Sequence, residues 1–257
     1  MRLKDKVAVI TGAARGLGRV YALRFAQEGA SVAVIDLRSD EAEQTAKDIA
    51  TAGGKSLALQ ADVTSEEQMA AAAARVAEAF GRIDVLVNNA ALYGDMNIAD
   101  QSIEYFVKLL NTNVLSVVVA SRACYPYMKQ QGGSIINIAS TAAYPLPLPM
   151  PPEPATVPIS GYAVSKAAVI NLTKAMANAL GGVNIRVNAI APGLTMTEAT
   201  KKIVPDFIMQ NIIAATALKR PLEPDDLAGT ALFLASDDSA LMTGQVLVVD
   251  AGLIMLG

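Results

Sequence analysis

The sequence predicts a doubly wound α/β fold, a sheet of seven parallel strands with helices on both faces. Short runs rich in Val and Ile alternate with longer stretches of helical periodicity along the 257 residues. The short runs are apolar throughout, as strands buried on both faces of a parallel sheet are. No linker divides the chain, so we expect one domain over residues 1–257.

The elements follow one another in a regular order. We predict strands over 7–10, 31–35, 56–60, 83–87, 134–138, 185–190 and 245–249. Between them we predict helices over 19–28, 40–52, 66–80, 102–122, 162–180 and 224–234. Gly29 and the pair Gly53-Gly54 end the first two helices, Ser65 caps the third, and Pro224 begins the last. This alternation is what the crossover connections of a parallel sheet require.

Composition excludes several classes of function. The chain has no histidine and one cysteine, Cys124, which removes Ser-His-Asp catalysis, histidine-based metal sites and intrachain disulfides. We expect no metal, and the apolar surroundings of Cys124 favour a buried thiol. The net charge is −3 without a basic run, so nucleic acid is not an expected partner.

The apolar content is high but divided into short runs. Apolar residues make up 53% of the chain and the mean hydropathy is +0.36. No stretch reaches the roughly 18 to 20 unbroken apolar residues of a membrane span. Residues 1–6 lead directly into the first strand and lack the apolar core of a signal peptide. We therefore expect a cytoplasmic protein with no membrane partner.

A glycine-rich turn joins the first strand to the first helix. Gly12, Gly16 and Gly18 lie within residues 11–18, and Asp36 ends the second strand 18 residues after the last of them. This spacing is typical of a Rossmann-type dinucleotide-binding unit, in which backbone amides approach a pyrophosphate and the acid binds the ribose. The plainer alternative is a turn that only packs helix on strand. Because a carboxylate repels a 2′-phosphate, we predict NAD rather than NADP.

Two arginines complicate this choice of cofactor. Arg15, beside the second glycine, and Arg38, just past the acid, could each meet a 2′-phosphate. An arginine such as Arg15 is more often a solvated loop residue. Asp36 is therefore the stronger signal, and NADP is the less favoured cofactor.

The segment 160–166 places a phenol and an ammonium four residues apart. Tyr162 and Lys166 open a helical run, so their side chains lie on one face about one turn apart. An ammonium held there stabilises a phenolate, and we expect it to lower the pKa of Tyr162 from about 10. A tyrosine tuned in this way acts as an acid or base near neutral pH. Taken alone, such a pair is more often a surface feature.

Several motifs occur in a fixed order along the chain. They are the turn 11–18, Asn88-Asn89-Ala90, Ser140, Tyr162-x-x-x-Lys166, Pro192-Gly193 and Asp250-Ala251-Gly252. With this order and spacing, the chain resembles the short-chain dehydrogenase/reductases over essentially its whole length. Ala91, Ala143 and Ala251 stand where that family often has glycine, a departure that removes no reacting group.

The resemblance implies four catalytic residues. Tyr162 would be the acid/base, Lys166 would lower its pKa and hold the nicotinamide ribose, and Ser140 would hydrogen-bond the substrate oxygen. Asn113 would hold a water that relays protons from Lys166. In this mechanism Tyr162 removes the hydroxyl proton of an alcohol as its hydride passes to NAD⁺, and protonates a ketone in reverse. The plainer alternatives are that Ser140 caps a turn and that Asn113 has no catalytic part.

The resemblance also implies a cofactor-binding set spread over several loops. It consists of Gly12, Arg15, Gly16, Leu17, Gly18, Asp36, Leu37, Asp62, Val63, Asn89, Ala90, Tyr162, Lys166, Pro192, Gly193, Thr195 and Thr197. Asp62 and Val63 would meet the adenine, and the two threonines would position the nicotinamide carboxamide. The alternative for the threonines is that they only solvate a loop.

Two segments are expected to enclose the substrate. The proline-rich loop 142–160 cannot form a helix and would build an apolar wall beside the site, or else pack against another subunit. Residues 195–217 would close over the site as a lid. The predicted pocket is apolar and consists of Leu92, Tyr93, Ala142, Tyr144, Leu148, Met150, Leu194 and Phe207.

The function we expect is NAD-dependent interconversion of a hydrophobic secondary alcohol, cyclic and aromatic ones included, and its ketone. One alternative is an NADPH-dependent 3-oxoacyl thioester reductase, and another is a cofactor-binding protein without turnover. Members of the family are usually homotetramers or homodimers. The resemblance implies that the helices 102–122 and 162–180 form the subunit contact. The helix 102–122 is apolar on more than one face, so it should pack in a core or a subunit interface.

Overall fold

The computed structural model describes residues 1–93, 102–145 and 159–255. Its seven strands form one parallel sheet in the order β3-β2-β1-β4-β5-β6-β7. They are β1 (Val7–Thr11), β2 (Ser31–Asp36), β3 (Lys55–Gln60), β4 (Val85–Asn88), β5 (Gly133–Ile138), β6 (Ile185–Pro192) and β7 (Val246–Val249). The predicted fold class is confirmed, and each predicted strand matches an observed strand to within two residues at either end.

The strand order changes direction once, between β1 and β4. β1 pairs with β2 on one side and β4 on the other, so that Val9 lies opposite both Ala33 and Leu86. The connections after β1 and β4 therefore run in opposite directions and leave a crevice at the carboxyl edge of the sheet. Every residue of β1 and β4 is buried, which explains why their sequence shows no polar alternation.

Helices cover both faces of the sheet. In the described residues they are α1 (Gly16–Gln27), α2 (Ser39–Thr51), α3 (Glu66–Phe80), α4 (Ile103–Leu110), α5 (Ser116–Cys124), α6 (Gly161–Leu180), α7 (Glu198–Ile203), α8 (Asp206–Ala215) and α9 (Pro224–Ala235). One core cluster joins α1 and α9 to one face and includes Tyr21 and Phe25. A second joins α3 and α5 to the opposite face and includes Met69 and Val119, and a smaller third one includes Val169 of α6. Close packing on both faces fixes the ends of the strands, from which the site is built.

The predicted helix 102–122 is interrupted. A π-helical turn, Asn111–Leu115, separates α4 from α5. The sequence gives no sign of this turn, because the apolar pattern continues through it. Turns of this kind are frequent at functional sites, and Asn113 lies buried within it at 2% exposure.

The helical run Ile103–Tyr127 is long and apolar enough to cross a membrane by length and composition, with a hydropathy of 1.4. In the most apolar 18-residue stretch of this run, 33% is buried in the protein. One such helix is weak evidence for a membrane-spanning segment, because the core helix of a soluble protein can be equally long and apolar. Its first turns, α4, pack on α6, and its middle, α5, packs on α3.

Candidate active site

The loops that follow β1, β4, β5 and β6 meet at the carboxyl edge of the sheet. In that order they carry the glycine-rich turn, Asn89, Ser140 and Gly193. Helix α6 starts at the same edge, where the N-cap Ser160 accepts a hydrogen bond from the backbone N of Ala163 at 3.2 Å. The fold thus places the predicted catalytic and cofactor residues around one crevice.

The glycine-rich turn is held against the loop after β4 by Asn89. The side-chain amide of Asn89 donates to the backbone oxygens of Thr11 and Gly12, each at 3.0 Å. The Thr11 hydroxyl accepts from the backbone N–H groups of Asn89 and Ala90 at 3.1 Å. Gly12 has φ +63°, and a Cβ there would lie 2.8 Å from Ala90 Cα. A Cβ on Gly18 would lie 2.2 Å from the Gly12 oxygen, so both positions require glycine.

The carboxylate of Asp36 closes the other side of this turn. Its Oδ2 accepts from the backbone N of Ala14 at 3.1 Å, and its Oδ1 accepts from the backbone N of Arg38 at 3.1 Å. The Arg38 guanidinium lies 3.6 Å from Asp36 and 3.5 Å from Glu41. Asp36 therefore shapes the turn, two carboxylates lie beside Arg38, and contact of Asp36 with a ribose stays a prediction.

The N-terminus of α1 beside Gly16 suits a dinucleotide. A Cβ added to Gly16 would meet Thr197 Cγ2 at 4.0 Å, an ordinary van der Waals contact, so the turn faces the loop after β6. The N-cap residue of α1, Arg15, makes no side-chain capping bond to the first N–H groups of the helix. Uncapped amides at a helix N-terminus suit a pyrophosphate, and the nearby carboxylate suits ribose hydroxyls. The residues present therefore fit a nicotinamide dinucleotide.

Tyr162, Lys166 and Ser140 lie together at the start of α6. The Tyr162 phenol lies close enough to the Ser140 side chain for hydrogen bonding between them to lower the pKa of the phenol. The Lys166 ammonium lies 5.6 Å from the centre of the Tyr162 ring and donates to the backbone oxygen of Ile138 at 2.7 Å. Ser140 Oγ also accepts from the backbone N of Ala142 at 3.1 Å, so it caps the following turn as well as meeting the phenol.

The protonation of the tyrosine and lysine differs from the expectation. Burial raises the pKa of Tyr162 to about 12, the hydrogen bond with Ser140 lowers it in part, and nearby Tyr93 raises it further. Burial lowers the pKa of Lys166 to about 8. The prediction that Lys166 brings the Tyr162 pKa below 10 is therefore wrong for this structure, since withdrawal from water outweighs the ammonium. At neutral pH Tyr162 is a neutral phenol and most of Lys166 is protonated.

Asn113 uses its side chain to hold backbone. Its Oδ1 accepts from the N of Leu92 at 2.7 Å, and its Nδ2 donates to the O of Leu92 at 2.8 Å. The same Nδ2 donates to Ser165 Oγ at 3.0 Å. Both amide hydrogens are committed, so this side chain has no donor left for a water on Lys166. A water that relays protons from Lys166 stays a prediction. The backbone carbonyl of Asn113 would have to bind that water.

The loop after β6 approaches the segment after β7 closely. A Cβ on Gly193 would lie 2.7 Å from Asp250 Cβ, so glycine is required there. The Thr195 hydroxyl donates to the Gly193 oxygen at 3.1 Å. Thr197 caps α7 by accepting from the Thr200 N at 3.1 Å. Both hydroxyls make contacts inside the protein, and their cofactor role stays a prediction.

The residues predicted to contact the adenine include one whose side chain is already hydrogen-bonded within its own loop. Asp62 Oδ1 accepts from the backbone N of Thr64 at 2.8 Å and from its hydroxyl at 2.7 Å. Val63 is buried at 7% exposure, and Leu37 is 59% exposed just past Asp36. Contact of these residues with an adenine stays a prediction.

The predicted substrate residues are only partly brought together. Those that are partly buried in the described chain are Leu92, Tyr93, Ala142, Tyr144 and Leu194. Phe207, on α8, is 68% exposed and forms no part of a closed wall here. Leu148, Met150 and most of the loop 142–160 lie outside the described residues. Residues 195–217 contain α7 and α8, and their action as a lid stays a prediction.

Two residues that organise the site were missed by reasoning from the sequence. The Thr11 hydroxyl anchors two backbone N–H groups of the loop after β4. Ser165, directly before Lys166, is fully buried and contacts both Asn113 and Tyr162. A serine inside a helix is unfavourable unless its hydroxyl has a partner, and that was the available signal.

Comparison with known proteins finds relatives over nearly the whole chain. The family model described as Enoyl-(Acyl carrier protein) reductase matches residues 12–254. The 7α-hydroxysteroid dehydrogenase of Escherichia coli K12 is 38% identical over 257 residues, covering 98% of this chain and 95% of the relative. The 3-oxoacyl-[acyl-carrier-protein] reductase of Thermotoga maritima is 38% identical over 256 residues, covering 99% of this chain and 100% of the relative.

A solved structure agrees with these relatives. It is a 7α-hydroxysteroid dehydrogenase complexed with NADH and 7-oxo glycochenodeoxycholic acid, which matches with a TM-score of 0.87 and 37% identity. The match covers 98% of this chain and 95% of that chain. The shared fold therefore includes the sheet edge that carries the candidate site.

The buried lysine predicts a specific dependence of stability on pH. A pKa lowered from 10.5 to about 8 means that the unfolded chain binds the Lys166 proton more tightly than the folded protein. Relative to Lys166→Met, the wild-type free energy of unfolding should therefore rise between about pH 8 and 10.5. The total rise should be about 3 kcal/mol, at about 1.4 kcal/mol per pH unit. Urea unfolding at a series of pH values measures the difference.

Lys174→Met is the matched control, because Lys174 is exposed on the same helix. Its stability relative to the wild type should stay level over this pH range. If the difference in the free energy of unfolding between the wild type and Lys166→Met is also independent of pH over this range, Lys166 is not desolvated as the structure indicates.

Proposed function

The chain belongs to the short-chain dehydrogenase/reductase family, and from this premise we propose the reaction that it catalyses. It is an NAD(P)-dependent enzyme of the alcohol dehydrogenase and ketone reductase type. We infer that it interconverts a hydrophobic secondary alcohol and its ketone with NAD, and that Tyr162 is the acid/base. The observation that carries the proposal is the contact between Tyr162 and Ser140 beside the buried Lys166.

The chain's own residues would control the proton. When bound, the nicotinamide supplies the hydride acceptor or donor. The Ser140 hydroxyl would hold the substrate oxygen next to the Tyr162 phenol. Tyr162 would donate its proton to the oxygen of a ketone, or as phenolate take the proton from an alcohol. Below about pH 8, where Lys166 keeps its proton, its positive charge would stabilise that phenolate.

The raised pKa of Tyr162 gives each direction its own pH dependence. With a pKa of about 12, the phenol is protonated at neutral pH and can donate to a ketone oxygen. Oxidation of an alcohol needs the phenolate, whose population increases with pH up to the pKa. We therefore propose that reduction is favoured near neutral pH and that oxidation becomes faster toward alkaline pH.

NAD is proposed as the cofactor because of Asp36. Its carboxylate is 6% exposed, is fixed by two backbone N–H donors, and keeps acceptor capacity for ribose hydroxyls. Its negative charge opposes a 2′-phosphate. Arg38, which could otherwise favour a phosphate, lies between Asp36 and Glu41. The NADH in the related structure supports the same choice.

A hydrophobic substrate is proposed because of the partly buried side chains near Tyr162. Leu92, Tyr93, Tyr144 and Leu194 lie on the loops around the crevice and carry no charge. A substrate with many hydroxyls would need more polar partners than these. The relative from Escherichia coli is a dehydrogenase of a cyclic alcohol, a hydroxysteroid, and this supports a cyclic substrate.

The second candidate is reduction of a 3-oxoacyl thioester with NADPH. Arg15 is exposed beside the turn, and no ion pair engages it among the residues that the structure describes. The relative from Thermotoga maritima is a 3-oxoacyl-[acyl-carrier-protein] reductase with the same 38% identity as the hydroxysteroid relative. The basic residues that could dock an acidic carrier are Lys201, Lys202, Lys219 and Arg220, although Arg220 is already paired with Asp226 at 2.7 Å.

We also propose that two copies of the chain associate through α4, α5 and α6, and that the protein works in the cytoplasm. Ile103 is 78% exposed, Val107 is 47% exposed, and Val164 is 40% exposed. These side chains form an apolar surface on helices that already pack on one another. A second copy would remove it from water, giving a homodimer or a homotetramer.

The proposed reaction is tested by absorbance at 340 nm with NAD⁺ or NADP⁺ and a panel of alcohols. The panel contains cyclohexanol, 1-phenylethanol and a 7α-hydroxy bile acid, with acetoacetyl-CoA and NADPH for the alternative. We expect turnover of an alcohol with NAD⁺. Tyr162→Phe should lower kcat by about 10² or more, because it removes the group that transfers the proton.

Tyr127→Phe is the control, because Tyr127 is partly buried between α5 and β5, away from the carboxyl edge. It should keep wild-type kcat. Turnover confined to acetoacetyl-CoA with NADPH would replace the proposal by the second candidate. Equal activity of Tyr162→Phe and the wild type would contradict the role of Tyr162.

The cofactor assignment is tested with Asp36→Asn, which keeps the size of the side chain and one acceptor oxygen. The kcat/KM ratio for NAD⁺ over NADP⁺ should fall by about tenfold or more, which corresponds to about 1.4 kcal/mol. Asp40→Asn is the matched loss of one negative charge, at an exposed position in the first turn of α2. The NAD assignment fails if the wild type prefers NADP⁺, or if both variants change the ratio equally.

The association is tested by light scattering. The wild type should give a mass of two or four chains of 26.7 kDa. Val107→Asp places a charge in the proposed contact and should shift the mass toward one chain. Leu241→Asp, at an exposed leucine before β7, should keep the wild-type mass. A single-chain mass for the wild type at micromolar concentration would exclude the contact.

A further inference from the structure

We propose that Ser165 is a positioning residue of the active site, which fixes the main chain of Tyr162 relative to the loop after β4. The proposal rests on the proposed function, in which Tyr162 is the acid/base. The Ser165 hydroxyl bonds to Asn113 and to the backbone oxygen of Tyr162, so it would act through the main chain of Tyr162.

The hydroxyl of Ser165 makes two hydrogen bonds in a fully buried position. It donates to the backbone oxygen of Tyr162 at 2.7 Å, one turn back along α6. It accepts from Nδ2 of Asn113 at 3.0 Å. The relative exposure of Ser165 is 0% and that of Asn113 is 2%, so water does not compete for these bonds.

The direction of each bond is determined. The Asn113 amide cannot be reversed, because its Oδ1 accepts from Leu92 N–H and its Nδ2 donates to the Leu92 oxygen. Nδ2 can only donate, so the Ser165 oxygen must accept there and its proton must point to the Tyr162 oxygen. A one-way chain of bonds thus links the Leu92 backbone to the Tyr162 backbone.

This chain of bonds matters because three separate segments meet at the phenol. Tyr162 is the second residue of α6, where few intrahelical bonds restrain the chain. Ser140, which hydrogen-bonds the phenol, comes from the loop after β5. Without the Ser165 bonds, the first turn of α6 loses one of the restraints on its position relative to Ser140, and a displacement of about 1 Å can cost about 10² in rate.

Helix α6 contains a matched control for this role. Thr173 is also fully buried, donates to the Val169 oxygen at 2.8 Å, and accepts from Nδ2 of Asn137 at 2.9 Å. It therefore makes the same two kinds of bond as Ser165, about three turns further along the helix from Tyr162. Thr173→Val removes them at constant size, far from the proposed acid/base.

The experiment compares Ser165→Ala and Ser165→Cys with Thr173→Val and the wild type. Cysteine keeps the size of the side chain and a weak donor, so it tests the role if the alanine variant fails to fold. Melting temperatures should fall for both Ser165→Ala and Thr173→Val. The kcat for the best alcohol of the panel should fall about tenfold or more for Ser165→Ala, less for Ser165→Cys, and little for Thr173→Val.

The pH profile separates positioning from loss of stability. Because the hydrogen bond with Ser140 lowers the pKa of Tyr162, a weakened bond should raise it. In Ser165→Ala the alkaline rise in kcat for alcohol oxidation should therefore occur at higher pH than in the wild type, with the KM for NAD⁺ little changed. The proposal would be overturned if the rise occurred at the same pH in Ser165→Ala as in the wild type, or if it moved equally in Thr173→Val.

A readout without turnover keeps the proposal testable if the proposed function fails. Fluorine NMR of protein labelled with 3-fluorotyrosine follows the ionisation of Tyr162, and Tyr162→Phe identifies its signal among the seven tyrosines. Ser165→Ala should raise the apparent pKa of that signal, and Thr173→Val should leave it unchanged. If the wild type turns over no compound of the panel, the proposed function is wrong, and this titration alone decides on Ser165.

Discussion

The candidate site depends on the exclusion of water from Lys166. A lysine at 3% exposure is unfavourable as a cation unless a partner accepts its hydrogen bonds, and here the Ile138 oxygen does so at 2.7 Å. The same exclusion of water acts on the neighbouring phenol in the opposite sense. It lowers the pKa of Lys166 to about 8 and raises that of Tyr162 to about 12, so both neutral forms are favoured. The exclusion of water from the crevice therefore affects the protonation states of Lys166 and Tyr162 more than the attraction between the two side chains does.

Short polar side chains give the crevice its shape. Asn89 holds the glycine-rich turn to the loop after β4, and Asp36 holds the turn to the end of β2. Asn113 holds the Leu92 backbone to the π-helical turn. Each of these residues bonds to backbone groups that the sheet leaves free at its carboxyl edge. Residues expected to recognise ligands are therefore also structural, and replacing one of them changes both properties.

The fold could be predicted from the sequence because it follows from periodicity. Buried runs such as 7–10 and 185–190 and the glycine-rich turn depend on local patterns, and their order specifies a parallel sheet. The positions of Tyr162 and Lys166 on one helix face follow from their spacing of four residues. Their pKa values could not be predicted in this way, because burial depends on Ile138 and on loops distant in sequence. The π-helical turn has no sign in the apolar pattern, and the Ser165 bond to Asn113 joins two segments that lie far apart in the sequence.

The central claim is that exclusion of water sets the protonation of the pair, and direct titration of Lys166 tests it. The protein labelled with 13C at lysine Cε is followed by NMR from pH 6 to 11, without added nucleotide, and Lys166→Met identifies the signal. We predict a pKa of about 8 for Lys166, well below the usual lysine value of 10.5. A titration near 10.5 would show that the ammonium is solvated, and it would contradict this account of the site.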